Sequence, residues 1–231
     1  MNADDMISLV LPCRNQADHI GELLPRYLGP LESLGVPFEL VVVPNASTDG
    51  TETMVEDLAN RDERIRVVSN PVGGWGLSVR IGLEAARGTI LAYTNTARTD
   101  PNLVPGFVHR YWNEDGQCLV KARREARHAP LREIGSFLYN VEARWFFGIR
   151  GGDVNGTPKV FSRTVYRDIQ LHSEGDLLDL ELLAAATRRG VPVIQVPVRG
   201  FQRHGGQSST NWKSALKMYG GAIKLWMRRA S

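Results

Sequence analysis

The sequence predicts an α/β fold built on a largely parallel sheet. Short β-branched apolar runs alternate with helix-period segments four times between Ile7 and Tyr93, the pattern of strands joined by crossover helices. Those runs are apolar at successive positions, as strands covered on both faces are. A polar loop follows each of three strands, which gathers the chemistry at one rim of the sheet.

Residues 7–12 (ISLVLP) read as the first strand, closed by its proline. Residues 17–34 carry Ile20, Leu23, Leu24, Tyr27, Leu28 and Leu31 at helical spacing, with Pro25 and Pro30 expected to bend the helix. Residues 38–44 (FELVVVP) are the second strand and 51–60 the second helix, with Ser47 or Asp49 as its cap. A strand over 64–69, a helix over 77–86 and a strand over 89–93 complete the alternation. The second half is less regular. It offers strands over 117–122 and 159–161, a helix over 177–189 ended by Gly190, and residues 191–198 (VPVIQVPV), whose prolines assign them to a sheet edge. No repeat, low-complexity stretch or linker interrupts the chain. The expectation is a single domain over 1–210, followed by a basic amphipathic helix over 211–231.

Composition narrows the function classes. With 42% apolar and 23% charged residues in 231, the chain can close a core and is not a disordered tail. No apolar run approaches the roughly 18 residues of a membrane span. The start is acidic where a secretory leader is basic, and only Cys13 and Cys118 are present, so a reducing, cytoplasmic setting is expected. The net charge of +3 hides a segregation. All 25 acids lie at or before Glu181, where the balance is −6, whereas the last 50 residues hold nine Lys and Arg and no acid. Such an end suits an anionic partner, phosphate or an acidic membrane. A nucleic acid is not expected, because the basic stretch 121–132 contains no aromatic side chain for stacking.

The three polar loops are Pro12-Cys13-Arg14-Asn15, Pro44 to Gly50, and Thr94 to Arg98. Gly73, Gly74 and Gly76 enter a helix nearby, where free N–H groups can cradle phosphate, although a tight turn explains the glycines equally well. Six stretches fall in order along nearly the whole chain: LVLPCRN at 9–15, VVVPNASTDGT at 41–51, NPVGGWGLSVRIGLEAARG at 70–88, DVNGTPKVFSR at 153–163, DLLDLELL at 176–183 and RHGGQSS at 203–209. In these the chain resembles the family 2 glycosyltransferases of GT-A fold (Rossmann-like), especially the dolichol-phosphate mannose synthase-like, polyprenyl-phosphate branch.

The resemblance implies an inverting transfer of a sugar from a nucleoside-diphosphate donor to an acceptor, a polyprenyl phosphate among the choices. It implies a base at the start of the helix that Gly190 ends, which is Asp179, with Glu181 beside it. Pro12, Arg14, Asn15, Asn45, Ser47, Gly74, Gly76, Thr94, Asn95, Thr96 and Arg98 would hold the donor. Arg123, Arg132, Asn155, Lys159, Arg203 and Ser208 would hold phosphate or acceptor. Two departures stand out. Where the family writes two adjacent acids, one reading the nucleobase, this chain has Pro44-Asn45; an amide can still pair with a base edge. Where the family writes Asp-x-Asp for Mg²⁺ or Mn²⁺, this chain has Thr94-Asn95-Thr96, and the nearest carboxylate is Asp100. Hydroxyls and an amide are poor ligands for those ions, so a standard divalent site is not expected. Either an active enzyme replaces the metal's charge with Arg98 and the basic run Lys121, Arg123, Arg124, Arg127 and Arg132, or the domain is an inactive nucleotide- or partner-binding module.

Other residues read as structural. The five His have no ligand spacing, Cys13 has no basic partner, and Lys159 is a phosphate ligand or the last polar residue before a strand. In 212–229, Trp212, Leu216, Tyr219, Ile223 and Trp226 form one stripe and Lys213, Lys217, Lys224 and Arg228 another. That pattern predicts peripheral contact with an anionic membrane, at the inner face of the cell membrane.

Overall fold

The computed structural model describes residues 4–125, 145, 147–149 and 152–199. Its centre is a seven-stranded sheet of β1 (Ile7–Cys13), β2 (Phe38–Pro44), β3 (Ile65–Val67), β4 (Ile90–Tyr93), β5 (Leu119–Arg124), β6 (Lys159–Ser162) and β7 (Val193–Val198). The spatial order is β3-β2-β1-β4-β6-β5-β7. The first four strands pair in parallel, β6 runs antiparallel to both β4 and β5, and β7 returns parallel to β5. The chain moves outward from β1 to β2 and β3, then crosses to the other side for β4. A crevice for ligands opens at such a reversal, beyond the strands' carboxyl ends.

Successive strand residues face opposite layers. Leu9 and Leu11 pack with α1 (Ile20–Leu23), α2 (Pro25–Glu32), α3 (Thr51–Ala59) and α5 (Val104–Trp112). Val10, Val41, Val43 and Tyr93 pack against α4 (Trp75–Ala85), α6 (Arg163–Ile169) and α7 (Leu178–Arg188). β1 and β2 are buried nearly throughout, which is why they read as continuous apolar runs.

The helix expected over 17–34 breaks into α1 and α2 at Leu24, because Pro25 has no N–H to continue a ladder but suits a first helical position. The helix expected at 77 starts two residues earlier, after Gly74 at φ 113°. β7 lies at the sheet edge, as its prolines require. Two helices escaped the sequence reading. α5 carries Val104, Phe107, Val108 and Tyr111 at helical spacing, a signal interrupted only by Pro105. α6 is short and is started by Ser162, whose Oγ accepts from the Val165 N–H at 3.1 Å. No helix among the described residues is long and apolar enough to cross a membrane. The expected basic helix over 211–231, with Arg203, His204 and Ser208, lies outside the described residues, as do Arg127 and Arg132.

Candidate functional site

At the ends of β1 and β2 the two loops are tied to each other. The Asn15 N–H donates to Ser47 Oγ at 3.1 Å, and Asn15 Oδ1 accepts from the Thr48 N–H at 2.9 Å. Asp49 accepts from the Ala17 N–H and from the Thr51 N–H and hydroxyl. Burial opposes its charge, but these bonds outweigh it and hold the carboxyl below the ordinary range. Asn15 at φ 48° and Ala46 at φ 45° show how sharply both loops turn. Arg14 and Asn15 are exposed and Ser47 is half-buried, so these expected donor residues share one rim. Asn45 lies below them, 8% exposed, with its Oδ1 buried and lacking a hydrogen-bond partner among the described residues. The Gly73 backbone lies beside it: a Cβ built there would be 3.7 Å from Asn45 Oδ1. Buried polar atoms in native folds are nearly always satisfied, so this orphan marks a place for a ligand atom or water.

The loop after β4 does not fit a divalent metal. Thr94 Oγ1 bonds Thr99 Oγ1 at 2.6 Å, and Thr96 Oγ1 donates to the Pro12 carbonyl at 2.9 Å. Both threonines are fully buried. Asn95 Oδ1 accepts from the Ala97 N–H, closing a local turn. Asp100 caps the short 3-10 turn Pro101–Leu103, accepting from the Asn102 N–H at 3.0 Å. The oxygens that would ligate are thus turned inward or already used, and no group of three His, Cys, Asp or Glu occurs together among the described residues. Arg98 follows, half-buried, in the same loop.

Gly74 and Gly76 serve a different end from the expected phosphate cradle. A Cβ on Gly74 would lie 2.7 Å from the Glu174 carbonyl oxygen, and one on Gly76 would lie 2.6 Å from those of Ser173 and Gly175. The Leu77 N–H, free for an anion in an open helix start, donates to Glu174 O at 2.8 Å. The first turn of α4 is therefore packed onto the segment that leads into α7.

That segment delivers Asp179. It occupies the first turn of α7, as counting back from Gly190 places it, and is 3% exposed. Its Oδ1 accepts from the Tyr93 hydroxyl at 2.6 Å and from Lys159 Nζ at 2.5 Å. Glu181 points elsewhere: its carboxylate accepts the N–H groups of His172 and Ser173 and so fixes the approach to α7. Of the two readings of Lys159, phosphate ligand or polar residue at a strand start, the structure matches the second. Lys159 is fully buried, opens β6 opposite Tyr93 and lies 5.4 Å from that ring's centroid. Burial pulls its ammonium below the ordinary lysine range even with Asp179 beside it, and burial together with Asp179 pushes the Tyr93 phenol well up.

Next to Lys159 on β5 is Lys121, 1% exposed. Its Nζ donates to the carbonyls of Ala122 at 2.7 Å and Asp153 at 2.8 Å. Burial first and the neighbouring Lys159 second lower its pKa to about 7. Arg124 grips Asp153 through Nε, NH2 and its own backbone N–H. Those bonds outweigh burial and hold the Asp153 carboxyl below its ordinary value. The strand expected over 117–122 runs two residues further, so that Lys121, Arg123 and Arg124 of the basic run all lie on β5, which pairs with β7 as far as Arg124 opposite Val198; of the three, Arg123 is exposed. Asn155 is half-buried, and its Oδ1 is buried without a hydrogen-bond partner among the described residues. Tyr93 and Asp153 were not singled out from the sequence, and Lys121 was named only as one of a basic run. The only signal for them was position at strand ends, because an apolar run hides a functional Tyr and a basic run hides a buried Lys.

Comparisons with known proteins bear on the family and the fold. Residues 8–96 match the family model described as Glycosyl transferase family 2. A dolichyl-phosphate beta-glucosyltransferase of Drosophila melanogaster is 27% identical over 96% of this chain and 74% of its own length. An undecaprenyl-phosphate 4-deoxy-4-formamido-L-arabinose transferase of Shewanella sediminis is 25% identical over 71% of this chain, which spans only 50% of that protein. Among solved structures, glucosyl-3-phosphoglycerate synthase of Mycobacterium tuberculosis, in complex with Mn²⁺, UDP and phosphoglyceric acid, superposes with a TM-score of 0.77 at 22% identity, covering 97% of this chain and 79% of that one. That likeness carries the GT-A fold. The family 2 glycosyltransferase model thus matches the first part of the chain, the relatives are named as polyprenyl-phosphate sugar transferases, and the sheet is that of the GT-A fold.

Proposed function

We propose that the chain transfers a sugar from a nucleoside-diphosphate donor, with inversion, to the phosphate of a polyprenyl-type acceptor. The tied loops after β1 and β2 would receive the nucleoside, with the orphaned Oδ1 of Asn45 accepting from the base edge. In the chemical step an acceptor phosphate oxygen forms a bond to the anomeric carbon. The bond from that carbon to the donor's diphosphate breaks, and its electron pair leaves with the nucleotide.

The observation that carries the acceptor class is the double hold on Asp179. One oxygen of Asp179 already accepts from both a buried lysine and a phenol, so that oxygen is occupied and not open to the proton of an acceptor hydroxyl. A hydroxyl acceptor needs a base, whereas a phosphate brings an oxygen already charged near neutral pH. Asp179 then acts by holding Lys159 and Tyr93 in place rather than as the base first expected. Dolichyl- and undecaprenyl-phosphate in the relatives' names support the same class.

The test is transfer of labelled sugar from a panel of sugar nucleotides to a short polyprenyl phosphate and to the matching polyprenol. The expected result is transfer to the phosphate alone, with Asp179→Asn retaining a measurable fraction of kcat in a folded protein. Transfer to the alcohol, abolished by Asp179→Asn, would restore Asp179 as base and overturn the phosphate reading. Absence of transfer from every donor would leave only a binding module. The two stripes of 212–229 support a further part of this proposal, peripheral docking on an anionic membrane where such acceptors reside. Co-sedimentation with acidic liposomes is the expected outcome; absence of binding to them would remove it.

A further inference from the structure

The fold relative from Mycobacterium tuberculosis binds UDP together with Mn²⁺. In this chain the loop after β4 has no carboxylate at 94–96, and its oxygens are spent on internal bonds to Thr99, Pro12 and Ala97. One strand spacing away, Lys159 stands opposite Tyr93, the residue before Thr94, and one spacing further Lys121 stands opposite Lys159. Two spacings amount to about 10 Å. With Arg124, these make three cations against the two carboxylates Asp153 and Asp179 in one buried cluster below the rim.

We propose that this cluster, with Lys121 as its responsive member, supplies to the diphosphate of a bound sugar nucleotide the positive charge that a divalent ion would otherwise supply, so that nucleotide binding needs no metal. The inference rests on the donor reading above and adds how the diphosphate is held. Charges fixed under a low-dielectric rim act on a neighbouring anion over this distance far more strongly than in water, and need no rearrangement when it arrives. Lys159 and Arg124 are committed to Asp179 and Asp153. Among the described residues Lys121 donates to two main-chain carbonyls and forms no ion pair of its own. The charged groups facing it are Lys159 on β6, Asp153 in the segment before β6, Asp179 on α7 and Arg124 on its own strand. Burial and Lys159 bring it to about 7. An anion above the cluster raises that value, so binding takes up a proton, and affinity falls as pH rises from about 7.

The test measures binding of UDP, GDP, CDP and dTDP to the full chain by calorimetry, in EDTA and with Mn²⁺. One nucleotide is expected to bind in EDTA within about threefold of its affinity with Mn²⁺, roughly tenfold more weakly to Lys121→Met, and near wild-type affinity to Lys121→Arg. Wild-type affinity should weaken between about pH 7 and pH 9, and Lys121→Met should flatten that dependence. Should Lys121→Met fail to fold, the wild-type EDTA comparison and pH profile decide. Binding only with Mn²⁺, or binding in EDTA that Lys121→Met and pH leave unchanged, would overturn the inference while the donor reading stands. No nucleotide binding in either condition would overturn both.

Discussion

The two halves of the sheet handle charge differently. From β1 to β4 the strands are parallel and mostly apolar; their one buried carboxylate, Glu39 on β2, is bonded by Arg66 and Ser8 on the flanking strands, and the other polar contacts lie in the loops beyond, at Asn15, Ser47 and Asp49. From β5 to β6 the strands bring two lysines together, and Lys121 and Lys159 are buried beside Asp153 and Asp179. The first half is a scaffold whose proposed recognition residues sit on its rim. The second half places its electrostatics inside the protein, where a charge without a partner is costly. A structure that separates binding from charge in this way should respond unequally to substitution.

The largest effect should follow from breaking the buried pair. Lys159→Met leaves Asp179 charged, 3% exposed and without its cation, and should cost about 3–5 kcal/mol in denaturant unfolding. A smaller loss, below about 1 kcal/mol, would mean the second half is no more sensitive than the first. Next comes the junction between the halves. Gly76→Ala pushes a methyl into two carbonyl oxygens at 2.6 Å and should cost about 1–3 kcal/mol together with most transfer activity, read by melting and by the assay above.

The pH response follows. A lysine brought from 10.5 to about 7 in the folded state binds fewer protons there than in the unfolded chain at every pH between those values. Stability should therefore rise with pH from about 7 towards about 10, by at most about 1.4 kcal/mol per unit for this group, and Lys121→Met should remove its share of the rise while that of Lys159 remains. The weakest response belongs to the first half. Arg64 bonds Asp62 and Glu32 with 35% of its side chain exposed, and Arg64→Ala should cost under about 1 kcal/mol beyond its loss of packing, read by chemical unfolding.

The parallel half was legible because its strands are buried on both faces and its helices keep a clear period. Even there, Pro25 divided what the spacing joined, and α5 went unseen behind Pro105 although Val104, Phe107, Val108 and Tyr111 carry the pattern. At the site, position served better than residue type. Asp179 and Asn45 stand where motif order put them, whereas the burial of Lys159 and Lys121, both at expected strands, was not foreseen. Local sequence could not reveal this, because burial of Lys121 depends on β6, which begins 38 residues later, and on α7 beyond it. The glycines misled in the same manner. Gly74 and Gly76 suit a phosphate loop in isolation, and only the approach of residues 173–175 shows what the missing side chains admit.

That approach has a kinetic consequence. Gly73, on the donor side, lies against Asn45; three residues on, Gly76 touches the backbone that feeds α7, and the Leu77 amide is bonded to it. A nucleotide that displaces the 70–76 loop must carry the start of α7, and so Asp179, with it. On the proposed donor and acceptor sites, this contact would make the two subsites one mechanical linkage rather than independent latches. Initial-rate patterns should therefore report a compulsory order, donor before acceptor, and Gly76→Ala should loosen it towards a random one.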